Sequence, residues 1–337
     1  MQIPRFWAQV RLRHQTGLRH GFTVQRWGWS DENQLAAQAH AKARAQEALD
    51  LLLQPPEQRQ LGRGFQRMER LGEYGLNGET PIREEVLEQR GNIVKTRNSY
   101  GAHCLNTPDV AIADVDFAPP LPEPNALPLA TLAVVTLGWY VLCMAQGWVM
   151  VAWVSLAAAA LLALRMFKHW LAVRKAYAQR RDPKLAAVEQ VTAFSQQHPD
   201  WGLRLYNTPK GLRIIVTHRP MRSVDADVQT LFSALQVDPL YARLCERQQC
   251  FRARVTGKPW RMDITAPSEQ ARRWPVAEKY IADRWRWNKD YDEQVPGFSA
   301  CQFVSQLGVQ SIAVEVQPLV TWHDEASHAL RPTLPMA

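Results

Sequence analysis

The sequence predicts an α+β fold, with a mixed or antiparallel sheet and helices, interrupted by a two-helix transmembrane hairpin. Three observations lead to this prediction. No Asp, Glu, Lys or Arg occurs from Leu127 to Leu164. On both sides of that run, short stretches alternate apolar and polar residues between Gly and Pro, a pattern typical of strands joined in hairpins. No repeated strand–helix–strand pattern is present, which disfavours a parallel sheet.

The charge-free run is too long for a single transmembrane helix. At about 1.5 Å per residue it would extend about 57 Å, whereas the hydrocarbon core of a bilayer is about 30 Å thick. Gln146-Gly147 places a polar residue and a helix breaker in its middle. We therefore expect two spans, residues 127–145 and 148–164, joined by a tight turn.

Basic residues flank only the second span closely. They are Arg165, Lys168, Arg174, Lys175, Arg180, Arg181 and Lys184. The positive-inside rule places this flank in the cytoplasm. The hairpin returns the first 125 residues to the same side; they carry many arginines and no apolar stretch like a signal peptide. We expect a multi-pass protein of the inner (plasma) membrane, with both termini cytoplasmic and anionic lipid headgroups contacting the basic flank.

Composition agrees with a membrane-tethered cytosolic protein. The net charge is +8, the pI is about 9.4 and the mean hydropathy is −0.31. This charge allows nucleic-acid binding without requiring it. The five cysteines show no CxxC or Cys/His zinc spacing, which indicates reduced thiols. No P-loop, GxSxG, HExxH or dinucleotide-binding motif occurs.

Five segments follow along the chain. Residues 1–60 form a β-hairpin (6–13 and 21–29) and a helix (32–53) capped from Ser30. Residues 61–125 contain a loop, a short helix from Pro81, three strands (93–100, 103–106 and 110–117) and a Pro-rich lead-in to the membrane. Residues 126–165 are the transmembrane hairpin, and 166–200 are basic juxtamembrane helices.

Residues 201–337 complete the cytosolic α+β domain. We expect strands at 202–206, 212–217, 250–255 and 299–306, and helices at 225–235, 268–293 and 323–330. Strands near 93–117 and 202–255 should pair into one sheet across the membrane insertion, because neither set can bury both of its faces alone. In the 268–293 helix, Trp285 and Trp287 cannot share one face.

The strand ending in Asp114-Val-Asp116 carries the first candidate site. Alternate residues of a strand share a face, so Asp114 and Asp116 project together. Two carboxylates at a strand end are suitable oxygen ligands for Mg²⁺ or Mn²⁺ in phosphoryl transfer. The competing interpretation is a strand end with two solvated carboxylates.

Two further stretches contain candidate ligand-binding and catalytic residues. The hairpin around Pro209-Lys210-Gly211 offers backbone N–H groups and a cation to a phosphate, and it leads to His218 at a strand end. A structural histidine is the simpler alternative. In the stretch from Phe251, Arg252 and Arg254 share one strand face, and Lys258 follows, which suggests anion binding. An exposed basic strand is the alternative here.

Asp263 is a third carboxylate, flanked by Met262 and Ile264. Together these stretches resemble the archaeo-eukaryotic primase-like (prim-pol) catalytic core. The resemblance implies that Asp114, Asp116 and Asp263 bind a divalent metal, while His218 and the basic residues hold a nucleoside triphosphate. Val216 stands where that family has a small hydroxyl residue, and the membrane hairpin separates the first motif from the second.

The sequence is therefore consistent with two functions. In one, the cytosolic domain binds a protein partner or a ligand without catalysis. In the other, it is a membrane-anchored, metal-dependent enzyme of primase-polymerase-like type that acts on a nucleotide or nucleic acid. Mg²⁺ or Mn²⁺ is expected only in the second. Convergence of Asp114, Asp116, His218 and Asp263 with Arg252 and Arg254 in one cleft would favour the enzyme.

Overall fold

The structure is a computed structural model, and it describes residues 1–15, 21–55, 57, 65–70, 80–119 and 121–337. The chain divides into two units. The first combines Met1–Asp116 with Ala187–Ala337, and the second is Phe117–Ala186. The turn expected between the first two strands and most of the loop expected at 61–78 lie outside the described residues.

The chain begins with the predicted antiparallel hairpin and helix. Strands β1 (Phe6–Gln15) and β2 (Gly21–Ser30) pair, and helix α1 spans Gln34–Leu53. The helix begins two residues later than predicted, because the Asn33 side chain accepts the Ala36 N–H while Ser30 accepts the Glu32 N–H. Helix and strand are in close contact at Gly28, where an added Cβ would lie 2.1 Å from the Ala41 nitrogen.

Eight further strands form two antiparallel four-stranded sheets. They are β3 (Glu85–Arg90), β4 (Ile93–Arg97), β5 (His103–Thr107), β6 (Ile112–Asp116), β7 (Gly202–Thr208), β8 (Gly211–Val216), β9 (Phe251–Arg254) and β10 (Gln302–Gly308). One sheet has the order β10-β7-β8-β6, and the other β3-β4-β5-β9. Pairing across the Phe117–Ala186 segment is confirmed. The expectation of one sheet is wrong, because β5 pairs with β9 while β6 pairs with β8.

The short helix expected from Pro81 is also wrong, since residues 81–84 form neither helix nor strand and β3 follows. Tertiary contacts explain the difference. The Glu84 carboxylate is buried against Arg252, and Glu85 accepts from Arg284. These partners are distant in sequence, and they override the local helix preference of the acidic residues.

The Phe117–Ala186 unit contains two apolar helices, α2 (Leu127–Ala145) and α3 (Val149–Ala178). Both are long and apolar enough to cross a membrane. The predicted break is confirmed: α2 ends just before Gln146-Gly147, and Gly147 has φ +73°. The helices pack on each other, with the rings of Tyr140 and Trp153 5.9 Å apart. Helix α3 continues beyond the apolar run, as predicted, and α4 (Pro183–Gln197) follows.

The remaining helices are α5 (Ala226–Ala234), α6 (Pro239–Gln248), α7 (Glu269–Arg272), α8 (Ile281–Gln294) and α9 (Gln317–Ser327). The expected 268–293 helix is interrupted, because Pro275 cannot continue the short α7. Helix α9 starts before the predicted residue 323, with Pro in its first turn. Helix α6 was not predicted from the sequence. The two tryptophans of α8 differ as expected: Trp287 packs on buried Tyr291, whereas Trp285 is 74% exposed.

Candidate functional site

The first unit contains a cavity of about 320 Å³ where β6 and β8 approach β9. Two contacts join the sheets there. Arg213 Nη1 donates to the Arg254 carbonyl at 2.7 Å, and the Tyr241 hydroxyl lies 3.0 and 3.2 Å from the carbonyls of Ile112 and Arg252. Six of the eight candidate residues line the cavity: Asp114, Asp116, Lys210, Arg252, Arg254 and Lys258.

Asp114 is committed to an ion pair. It lies opposite Arg213 in the β6–β8 register. Arg213 Nε and Nη2 donate to its two carboxylate oxygens at 2.8 and 3.0 Å. The guanidinium is only 4% exposed. Burial alone would lower the pKa of Arg213, but the Asp114 carboxylate outweighs burial, and the pKa is raised. A carboxylate held by both oxygens on a buried cation is a poor metal ligand.

Among the described residues, Asp116 has no ion-pair partner of this kind. It ends β6 opposite Gly211. Partial removal from water, together with the neighbouring carboxylates of Asp114 and Asp238, raises the pKa of Asp116. Of the two predicted metal ligands, Asp116 is therefore the one that can accept a contact from a ligand.

Arg252 is positioned by two buried residues, Asn106 on the adjacent strand β5 and Glu84 just before β3. Its Nη2 donates to both oxygens of Glu84 at 2.8 and 2.6 Å, and its Nη1 donates to Asn106 Oδ1 at 2.9 Å. The Glu84 carboxylate is 1% exposed and also accepts from Thr96. Arg254 lies two residues further along the same strand face, as predicted. Its Nη1 donates to the carbonyl oxygens of Thr256 and Ala337.

Four cations line the cavity besides Arg213 and Arg252: Lys210, Arg254, Lys258 and Arg261. In the described part of the chain, Lys210, Lys258 and Arg261 have no carboxylate within ion-pair distance. Burial and then the positive charges of Arg254, Arg261 and Lys210 lower the pKa of Lys258. Burial and Arg254 likewise lower the pKa of Arg261. The cavity thus concentrates positive charges that repel one another, and an anion bound there would relieve this repulsion.

The structure does not bring His218 or Asp263 to this cavity. Asp116 pairs with Gly211 at one end of β8, whereas His218 lies beyond the other end, about 16 Å along the strand from Arg213. Its Nδ1 accepts the Gly202 N–H at 3.2 Å, and its ring lies 5.0 Å from that of Trp201. Burial and then Arg219 lower the pKa of His218. Asp263 is exposed, with φ +58°, and follows buried Met262.

These positions do not fit the three-carboxylate metal site that the primase-like resemblance implies. Among the described residues, no group of three or more His, Cys, Asp or Glu side chains is arranged to hold a metal. Asp114 and Asp116 share the cavity with cations, but one of them is bound to Arg213. The donor set is better suited to an anion than to a divalent cation.

The lining residues that were not predicted from the sequence include Tyr100, Arg213, Tyr241 and Arg261. A signal for Arg213 was available, because it is the single charged residue in the otherwise apolar strand β8. Such a charge must find a partner when the strand is buried. Arg261 extends the basic pattern of Arg254 and Lys258 by three residues. The two tyrosines carry no comparable local signal.

No family model, curated protein or solved structure matches the chain.

Proposed function

We propose that this is an integral membrane protein whose cytosolic α+β domain binds a small phosphorylated ligand in the basic cavity. The observation that carries the proposal is the group of four cations around one cavity, Lys210, Arg254, Lys258 and Arg261. Among the described residues, Lys210, Lys258 and Arg261 have no carboxylate partner. Catalysis is not required for this function.

Two features support the membrane anchor. Helices α2 and α3 have 19 and 30 residues, with apolar windows of mean hydropathy 1.9 and 2.0. Their apolar side chains point outward within their own unit, and Leu137 is 66% exposed. Such surfaces are stable in lipid and costly in water. The basic residues after Leu164 favour a cytoplasmic location for both soluble segments.

Topology is tested by fusing a reporter after Pro120 and, separately, after Ala337. Both fusions are expected to report the cytoplasm, and the protein should stay with membranes after carbonate extraction. A periplasmic signal from the earlier fusion would exclude the hairpin topology. Release by carbonate would exclude membrane integration.

The chemistry of the cavity favours a phosphate group. Guanidinium groups bind phosphate oxygens in a bidentate manner, and lysine adds a compact positive charge. A phosphate dianion would compensate the repulsion among Arg254, Lys258 and Arg261. The volume of about 320 Å³ is at the lower end for small-molecule sites. A phosphate or pyrophosphate group therefore fits better than an extended polymer.

Aromatic rings beside the cations favour a nucleotide among phosphorylated ligands. Tyr100 lines the cavity, and its ring lies 5.4 Å from that of Trp260, which is 55% exposed. The ammonium of Lys258 lies 5.9 Å from the Tyr100 ring and 5.4 Å from the Trp260 ring. A base could stack on Trp260 while its phosphates enter the cavity.

Calorimetry on the full-length protein in detergent, with EDTA present, tests this function. The probes are pyrophosphate, AMP and ATP. Lys258→Gln should weaken binding by about tenfold or more, since a hydrogen bond to a charged group contributes about 1.5–3 kcal/mol. The matched control is Lys289→Gln, which removes an exposed lysine of α8 outside the cavity. Absence of binding to all probes, or equal losses in both variants, would contradict the proposal.

The metal-dependent, primase-polymerase-like enzyme is the second candidate. It is supported by Asp114 and Asp116 sharing a cavity with the cations. Under this alternative, Mg²⁺ or Mn²⁺ with a nucleotide, at about one hundred times its dissociation constant, should stabilise the protein by about 2.7 kcal/mol. Asp116→Asn should abolish that gain. Tight nucleotide binding that is unaffected by metal would favour the non-catalytic function.

A further inference from the structure

A second cavity, of about 470 Å³, lies wholly within the Phe117–Ala186 unit. One wall is the Pro-rich stretch before α2 together with Pro128 and Leu129. The other is a single face of α3, from Arg165 to Val173. Arg165 is the first charged residue after the charge-free run. The cavity therefore lies where the second predicted span leaves the hydrocarbon.

The polar groups of this cavity suit an anion. Arg165 and His169 are one helical turn apart and line it together. The indole N–H of Trp170 is buried, and no residue that the structure describes accepts a hydrogen bond from it. Buried donors are normally satisfied, so this N–H, on a residue that lines the cavity, is a candidate donor to a bound anion. The indole is held between the Phe167 ring, 5.8 Å away, and the Arg174 guanidinium, 5.2 Å away.

One carboxylate, Glu123, also lines the cavity. Its Oε1 accepts the Tyr177 hydroxyl at 3.3 Å. The rest of the wall is largely apolar, including Pro128, Leu129, Met166 and Val173. A ligand that satisfies both parts has an anionic end and an apolar end. Free inorganic phosphate would leave the apolar wall uncovered.

We propose that this cavity binds the headgroup of an anionic phospholipid, with the lipid phosphodiester accepting from Arg165 and the Trp170 indole N–H. The acyl chains would extend along the apolar side chains of α2 and α3. This inference rests on the membrane insertion in the proposed function, and it is independent of the basic cavity in the α+β domain. The proposal concerns one specific lipid-binding site, which differs from the general electrostatic attraction of the basic flank to an anionic membrane surface.

The test is native mass spectrometry of the full-length protein in detergent, titrated with phosphatidylglycerol or phosphatidylcholine. Arg165→Gln should weaken phosphatidylglycerol binding by about tenfold or more, and Trp170→Phe, which keeps an aromatic ring, by about fivefold. Lys168→Gln is the matched control, because it removes the same charge from an exposed position of α3 outside the cavity. Any loss common to Arg165→Gln and Lys168→Gln measures general electrostatic attraction.

Selective binding of phosphatidylglycerol, lost more in Arg165→Gln than in Lys168→Gln and undisturbed by millimolar inorganic phosphate, is the expected result. Equal losses in the two variants, equal binding of both lipids, or displacement by inorganic phosphate would overturn the proposal. Carbonate extraction of each variant separates this outcome from failure of the anchor. If the protein resists carbonate and still binds nucleotide, the lipid site alone has failed.

Discussion

Asp114 and Asp116 are two residues apart on one strand face, yet the structure predicts opposite effects when each is replaced by asparagine. Asp114 holds the guanidinium of Arg213 through both oxygens, and Arg213 is 4% exposed. Asp114→Asn leaves that cation with one neutral acceptor in place of a carboxylate. Asp116→Asn removes a charge that its surroundings disfavour.

The expected loss of stability on Asp114→Asn follows from the burial of the ion pair with Arg213. Removing one partner of a buried ion pair costs about 3–5 kcal/mol. The Asp114 side chain is 36% exposed, so water can partly replace it. We therefore expect a loss of about 2–3 kcal/mol for Asp114→Asn, because solvent screens one side of the pair. Asp116→Asn should lie within about 0.5 kcal/mol of the wild type or be stabilising.

Thermal unfolding of the full-length protein, followed by tryptophan fluorescence in detergent, measures the difference. For a domain of this size about 1 kcal/mol corresponds to about 2–4 °C, so Asp114→Asn should lower the midpoint by about 4–12 °C. Asp116→Asn should leave it unchanged or raise it. Equal effects of the two substitutions, or a larger loss from Asp116→Asn, would refute the assignment of Asp114 to Arg213.

The pH dependence provides a second check. Because the folded-state pKa of Asp116 is raised, the native state binds its proton more tightly than the unfolded state does. The cost of ionising Asp116 is therefore fully present above the folded-state pKa, and it disappears as pH falls below the unfolded value of about 3.9. Any gain from Asp116→Asn should disappear over the same range.

Two other substitutions test contacts of α8. Gly101 has φ +96°, and an added Cβ would lie 2.0 Å from the Trp287 ring, so Gly101→Ala should cost about 2–4 kcal/mol in thermal unfolding. Burial alone would raise the pKa of Asp292, but its contacts with His103 and Arg97 outweigh burial and lower the pKa to about 2. Asp292→Asn should destabilise by about 1 kcal/mol at pH 7, and this difference should shrink between about pH 4 and pH 2 as wild-type Asp292 is protonated.

Local patterns were sufficient for much of the fold. The break at Gln146-Gly147 follows from one polar residue and one glycine within an apolar run, and the β7–β8 hairpin follows from alternation around Pro209-Lys210-Gly211. These signals lie within a few residues of the elements they define. The absence of a helix at residues 81–84 depends instead on the contact between Glu84 and Arg252, which are 168 residues apart in sequence. No short window contains that contact.

The division into two sheets could not be predicted from the sequence for a related reason. Strands β5 and β6 are separated by only a few residues, and their patterns would also suit a hairpin with each other. Each instead pairs with a strand that follows the Phe117–Ala186 segment. Strand alternation specifies which side chains share a face, but it does not specify the neighbouring strand.

Because alternation does not specify the neighbouring strand, the sequence predicted a metal site where the structure has a site better suited to an anion. The sequence placed Asp114 and Asp116 on one face, and it placed Arg252 and Arg254 on another, and both statements hold. It could not show that the β6–β8 register sets Asp114 opposite Arg213. That single pairing converts a predicted metal ligand into the partner of a buried cation. It leaves Lys258, Arg254 and Arg261 with a surplus of positive charge, and the chemistry that this surplus favours is the binding of an anion.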